Sequence, residues 1–402
     1  MSEVSPPAVP RERYLKLFFR FLRFGCLAWG GPVAQIAMIR QEIVDEEKWI
    51  TTERFNRVLA IYQVLPGPEA HELCVYFGML SRGRLGAVLA GLGFMLPGFA
   101  LMFALSWLYV TYGTRSPTFQ AVFQGMQPAV AALIVRAVQR ICGHALHIDR
   151  WLWGIALAAG LAQLLSVHFA LTLIVAGVIY ALVGRERTRL AAGLSVAALA
   201  GLMFVALRPV VTAVGTEATS ETLGVGTPSL LTLLFSGLRG GLLTFGGAYT
   251  VIPFLQQDAV EVGRWMTNAQ FLDGLALSGL LPAPLIIFST FVGYIGGGPW
   301  GAIVITLGIF TPAFAFTLIG HDYLERLVEY QAVHAFLDGV TAGVVGLIGA
   351  TALGILNETV RGLPAWTIFG LALLVLFRWQ VKWAVAVVVL GAGLVGWLVF
   401  VG

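Results

Sequence analysis

The chain carries its own pattern twice. Trp29-Gly30-Gly31 returns as Phe245-Gly246-Gly247, 216 positions later. Trp49 returns as Trp265 and Phe55 as Phe271 at the same offset, and Leu65-Pro66-Gly67-Pro68 returns as Leu281-Pro282-Ala283-Pro284. One residue is then lost, and Gly86, Pro97 and Phe99 pair with Gly301, Pro312 and Phe314 at an offset of 215. A register held from Trp29 to Phe99 restricts the chain to a fold of two homologous halves. In membrane transporters such halves hold the substrate between them.

The halves are too apolar for water. Hydrophobic residues make up 58% of the 402 and charged residues 11%, with a mean hydropathy of +0.85. A soluble domain carries about 25% charged residues. Stretches such as 86–109 and 190–207 are long enough to cross the roughly 30 Å hydrocarbon core. The pI near 9.1 does not point to nucleic acid, because the basic residues are scattered between apolar spans, where they set topology. They are also uneven: residues 1–208 hold 19 basic against 11 acidic side chains (+8), residues 209–402 hold 6 against 10 (−4). The N-terminus lacks a compact apolar core followed by a small-residue cleavage site, so no removed signal peptide is expected. Cys26, Cys74 and Cys142 read as small buried hydrophobes. There is no Walker loop, no metal-ligand spacing and no Gly-x-Ser-x-Gly. The expectation is therefore a non-enzyme with no cofactor and no metal.

The apolar spans fall near 15–35, 54–81, 84–111, 119–143, 150–166, 167–184 and 189–208, then 229–255, 267–295, 299–320, 332–357, 364–377 and 380–401. This predicts an all-α integral membrane protein of about 13 transmembrane helices. Seven crossings separate equivalent points of the two copies. An odd number turns the second copy upside down, so the helices form two inverted-topology repeats. The expected division is an N-terminal repeat over 1–188, a linking helix and linker over 189–228, and a C-terminal repeat over 229–402. The positive-inside rule places the N-terminus in the cytoplasm, with the arginines between 40 and 57 as an exception.

The chemistry is expected where the helices break. Proline removes a backbone donor and clashes with the preceding turn, and glycine weakens a helix further. Pro66, Gly67 and Pro68 should interrupt their span, and Pro282, Ala283 and Pro284 should interrupt the equivalent one. A freed half-helix N-terminus carries partial positive charge suited to an anion. Two plain kinks are the competing reading. Gly30-Gly31-Pro32 and Gly246-Gly247 form a second matched pair, read either as close helix packing or as a further break, whereas Gly296-Gly297-Gly298-Pro299 reads as a turn. Arg23 and Arg239 match at the same offset, and each is a candidate to grip an oxyanion or to snorkel to an interface. Glu69, His71 and Glu72 follow the first break directly, and Asp338 lies in a later span. Ionisable groups at membrane depth default to a functional reading, here proton coupling.

At Trp29-Gly30-Gly31-Pro32-Val33-Ala34-Gln35-Ile36-Ala37 and Gln63-Val64-Leu65-Pro66-Gly67-Pro68-Glu69-Ala70 the chain resembles the chromate ion transporter family, long-chain two-copy type. Thr244-Phe245-Gly246-Gly247-Ala248-Tyr249 resembles that family's C-terminal half. The resemblance implies a multi-pass protein of the inner membrane that exports chromate and handles sulfate-like oxyanions. It carries over Gly30, Gly31, Pro32, Gln63, Pro66, Gly67, Pro68, Gly246 and Gly247 as substrate-site residues. The chain departs from the family pattern at Gln35, Glu72, Gly279 and Ala283. The partners implied are a small inorganic oxyanion and membrane lipid, with no nucleic acid; a homodimer is left open. A carrier of sulfate or another small anion, and an uncoupled anion channel, are the alternatives.

Overall fold

The computed structural model describes residues 9–113, 116–146, 149–165, 167–207, 227–245, 247–328, 331–379, 381 and 383–400. Every regular element among them is helical. Four stretches are long and apolar enough to cross a membrane: Glu69–Gly113, Pro117–Gly143, Leu285–Gly320 and Val333–Thr359. Shorter apolar helices accompany them, such as Phe169–Gly184 and Ala384–Phe400. Large aliphatic side chains stand exposed on several helices, among them Leu157, Leu171, Leu371 and Leu394. Such a surface suits lipid and not water. The protein is an all-helical, multi-pass membrane protein.

Two compact units divide the chain. One holds 1–136, 227–324 and 356–402; the other holds 137–226 and 325–355. The first contains both copies of the breaks. In it, α1 (Tyr14–Cys26) leads to α2 (Pro32–Ile39) and a π-helical turn, Arg40–Glu46. Then come α3 (Thr52–Val64), α4 (Glu69–Leu108) and α5 (Pro117–Ala145), whose second part passes into the other unit. That unit also holds α6 (Arg150–Leu164), α7 (Phe169–Gly184) and α8 (Thr188–Leu207). The second copy opens with α9 (Leu230–Leu242), α10 (Ile252–Gln256), a π-helical turn at Gln257–Val262, and α11 (Asn268–Gly279). It continues with α12 (Phe288–Val328), α13 (Gln331–Thr359), α14 (Gly362–Arg378) and α15 (Ala384–Phe400). Most of the linker expected within 189–228 lies outside the described residues.

The duplication is written in the backbone. α4 contains Arg82 (φ −141, ψ 25) and Gly83 (φ 62, ψ −156); α12 contains Gly297 (φ −145, ψ 23) and Gly298 (φ 59, ψ −151), 215 positions on. At these points each long helix folds back as a hairpin: a side chain at Gly78 would meet the Gly86 carbonyl, and one at Gly293 the Gly301 carbonyl. Packing repeats as well. Gly93 faces Phe18, Phe21 and Leu22 of α1, and Gly308 faces Leu234, Gly237 and Leu238 of α9. Thr51 caps α3 and Thr267 caps α11, each accepting from the backbone N–H three residues on. Trp49 and Trp265 are both buried, as are Phe55 and Phe271.

Four stretches that read as continuous spans in the sequence are interrupted. The stretches 15–35 and 229–255 break at their glycine pairs, and 54–81 and 267–295 break at their proline pairs. The physical reason is local. Gly31 (φ 79) and Gly247 (φ 124) take backbone conformations closed to most residues. The prolines withdraw N–H donors in the middle of a run.

Candidate functional site

The first break lies immediately before Glu69–Gly113, a stretch long and apolar enough to cross a membrane. α3 ends at Leu65, which is extended, and Pro68 is the N-cap of α4. Between them Gly67 sits at φ +152. Its N–H, freed from any helix, donates to the Thr244 carbonyl at 2.8 Å. Thr244 lies just past α9, at the glycine break of the second copy. The break in one copy is thus tied to the break in the other. Gly246, expected beside it, lies outside the described residues.

The Glu72 carboxyl closes over this point, and His71 precedes it in the chain. Glu72 and His71 are fully buried, and Glu69 is half-buried. A β-carbon on Gly67 would lie 2.8 Å from Glu72 Oε1 and 3.4 Å from the Ala313 methyl. The missing side chain is what admits the Glu72 carboxyl. Neither Glu72 oxygen has a hydrogen-bond partner among the described residues. Burying a carboxyl without partners is expensive, so this one must either hold a proton or await a partner. The His71 ring stands against Phe310 and Phe314, each at 4.8 Å between centroids, with Phe94 at 6.4 Å. Those phenylalanines come from the hairpin arms of both copies.

The second break is built differently. α11 ends at Gly279, and a turn through Pro282, Ala283 and Pro284 leads to a short 3₁₀ segment before α12. The Ala283 N–H donates locally, to Leu281 at 2.9 Å. The repeat mate of the Thr244 carbonyl, that of Ala28, accepts instead from the buried Gln35 amide at 2.9 Å. The repeat places Val251 where the first copy has Gln35. Valine cannot donate, which leaves the Thr244 carbonyl to Gly67.

The family model described as Chromate transporter matches residues 15–185 and again 231–397. The chain belongs to the chromate transporter family. It is 56% identical over 403 residues to a chromate transport protein of Pseudomonas aeruginosa, covering 99% of this chain and 95% of that protein. It is 28% identical over 393 residues to a chromate transport protein of Cupriavidus metallidurans, with 98% and 94% covered. A probable chromate transport protein of Synechococcus elongatus is 29% identical over 355 residues, with 88% and 87% covered. No solved structure matches the chain. The double match of the chromate transporter model coincides with the two copies seen in the fold.

Other residues singled out in the sequence have partners. Arg23 pairs with Glu42, and Arg239 with Asp258. The two acids are themselves repeat mates, 216 apart. Glu42 also accepts from Arg20 at 2.8 Å, and Asp258 from Ser236 at 2.7 Å. An oxyanion held by Arg23 or Arg239 would therefore have to displace a carboxylate. At the glycine break between α1 and α2, Gly30 is exposed and Gly31 and Pro32 are half-buried, and Gln63 is exposed near the end of α3. Asp338 belongs to the other unit, where it pairs with His334 at 3.1 Å. Among the described residues no three His, Cys, Asp or Glu side chains gather as metal ligands.

The structure adds a carboxylate that sequence reasoning passed over. Asp273 in α11 is 7% exposed and accepts from Tyr109 Oη at 2.7 Å and Gln127 Nε2 at 2.9 Å. An acid inside Phe271-Leu272-Asp273-Gly274-Leu275 was the available signal. Its partners, 164 and 146 residues away, were not.

Proposed function

We propose that this protein is a secondary active transporter that exports chromate across the inner membrane, coupled to protons, by alternating access between two inverted copies. Sulfate and other tetrahedral oxyanions of like charge are the competing cargo. The end-to-end alignment with relatives named for chromate transport supports the cargo. The observation that carries the mechanism is the first break, where Gly67 reaches the other copy and Glu72 is buried with no hydrogen-bond partner among the described residues.

The α4 N-terminus offers backbone N–H groups and the positive end of a helix dipole to an anion. Glu69 and Glu72 occupy that same first turn. Like charges raise each other's proton affinity, so an arriving oxyanion favours protonation of these carboxyls. By linkage, protonation favours the oxyanion to the same degree. Export then runs with the electric field, since each net negative charge leaving a negative interior gains about 2.3 kcal/mol per 100 mV.

The test is counterflow in vesicles holding the purified protein. Saturable exchange of labelled chromate against internal chromate, competed by sulfate, is expected. Flow down a gradient without exchange would identify a channel and sink the carrier reading. Coupling is tested separately: Glu69→Gln and Glu72→Gln should change the pH dependence of flux more than the half-saturating chromate concentration. Parent-like pH profiles in both variants would remove these groups from proton handling.

A further inference from the structure

We propose that Asp273, held by Tyr109 and Gln127, is a second proton-binding site of the transporter, distinct from the carboxyls at the first break. The proposal rests on the proton-coupled reading above. Among the described residues four acids are buried in the unit that carries the breaks: Glu12, Glu72, Asp258 and Asp273. Their surroundings differ in kind. Glu12 is held by Arg20 and Lys16, and Asp258 pairs with Arg239 and accepts from Ser236. Glu72 has no hydrogen-bond partner among the described residues. Asp273 has two partners, both neutral and both able to reverse roles.

That reversibility is the core of the argument. A tyrosine hydroxyl donates to a carboxylate or accepts from a carboxylic acid, and a glutamine amide presents either its N–H₂ or its carbonyl. Tyr109 and Gln127 can therefore satisfy Asp273 in both protonation states, without a buried polar atom losing its bond on either side of the change. A guanidinium can only donate, so the pairs at Arg23 and Arg239 cannot do this. The hydroxyl is held in place by ring contacts from Phe123 at 5.2 Å and Phe291 at 5.0 Å. Tyr109 also opens a π-helical turn, Tyr109–Gly113, a feature frequent at functional sites.

The fold does not require an acid here. The repeat mate of Asp273 is Arg57, exposed on α3. The same helix is thus built with a cation in one copy and a hidden carboxylate in the other. Of the elements packed on α11, α15 and Leu285–Ile287 are apolar throughout, α4 carries Glu69, His71, Glu72, Arg82 and Arg84, and Asn268 at the start of α11 donates to Glu358 of α13. Tyr109 is the titratable group facing Asp273, and the aromatic neighbours Phe288 and Phe291 on α12 are neutral. Asp273 also sits in the helix that ends at the second break, so its charge can bear on the half of the site that lacks an acid of its own.

The experiment measures protons moved with chromate, using an entrapped pH dye in vesicles at alkaline pH, where chromate itself holds no proton. The parent protein is expected to move protons with chromate. Asp273→Asn should lower the protons moved per chromate, and the pH dependence of exchange should flatten. Tyr109→Phe keeps the acid but removes one reversible partner, and should displace the midpoint of the pH profile while retaining proton movement. If the parent moves protons and both variants match it in stoichiometry and profile, the Asp273 assignment is overturned while coupling stands. If the parent moves no protons with chromate, coupling falls and the assignment with it. Should Asp273→Asn fail to insert, an unshifted Tyr109→Phe profile overturns the proposal alone.

Discussion

Gly67→Ala is expected to abolish chromate flux while the protein still reaches the membrane. Two costs meet at this one position. Gly67 stands at φ +152, where an L-residue pays of order 1–3 kcal/mol in backbone strain. The added methyl would also lie 2.8 Å from Glu72 Oε1 and 3.4 Å from Ala313. Glu72 is fully buried, so its carboxyl can yield only within a closed interior. Any shift of the break itself stretches the 2.8 Å bond from the Gly67 N–H to Thr244. Flux per molecule, normalised to protein in the membrane, should fall at least about a hundredfold, as for other small misplacements of binding groups. Gly83→Ala is the control. It has positive φ (62) at the hairpin turn but nothing within 4 Å of the new methyl. It should lower abundance and leave flux per molecule near the parent's. Parent-level flux in Gly67→Ala would show that the break is only a kink.

The sequence made the duplication legible because identical contacts impose identical residues. Gly93 and Gly308 must both be small, since each lies against a neighbouring helix backbone at the same place in its copy. Both hairpin turns could be read, one at Gly296-Gly297-Gly298-Pro299 and the other in the gap between the spans 54–81 and 84–111, where Arg82 and Gly83 leave the helix. The proline breaks were legible through the chemistry of the ring, and the structure places Glu72 over the first of them. What could not be read was pairing across long separations. Arg23 and Arg239 looked like anion ligands because the sequence does not reveal that Glu42 and Asp258 reach them. The Gly67 to Thr244 bond was invisible for the same reason: a backbone carbonyl leaves no mark in composition. Asymmetry between the copies was legible only as substitution. That Gln35 and Val251 decide which carbonyl is free needed coordinates.

One substitution between the copies has a consequence that can be measured directly. The first break carries glycine at 67 against alanine at 313; the second carries alanine at 283 against glycine at 98. These are the same contact, since 67 maps to 283 and 98 to 313. A β-carbon on Gly98 would lie 2.5 Å from the Ala283 methyl, too close for any real pair of carbons. Each contact thus holds one methyl, on opposite partners in the two copies. Gly98→Ala should overpack the second break at a cost of about 1–3 kcal/mol, with a matching loss of thermal stability and of chromate flux. Gly98→Ala with Ala283→Gly moves the methyl to the side it occupies in the first copy. It should recover most of that loss, giving a coupling of about 1 kcal/mol or more where distant sites would simply add. The reading is sensitive to sign. Ala283→Gly alone removes a methyl and should cost little in packing. If the double variant is no better than Gly98→Ala, the two positions are not one contact, and the correspondence between the breaks fails with it. If it is restored, the second copy reaches the same packing as the first by a mirrored choice of residues, which is what two breaks sharing one centre require.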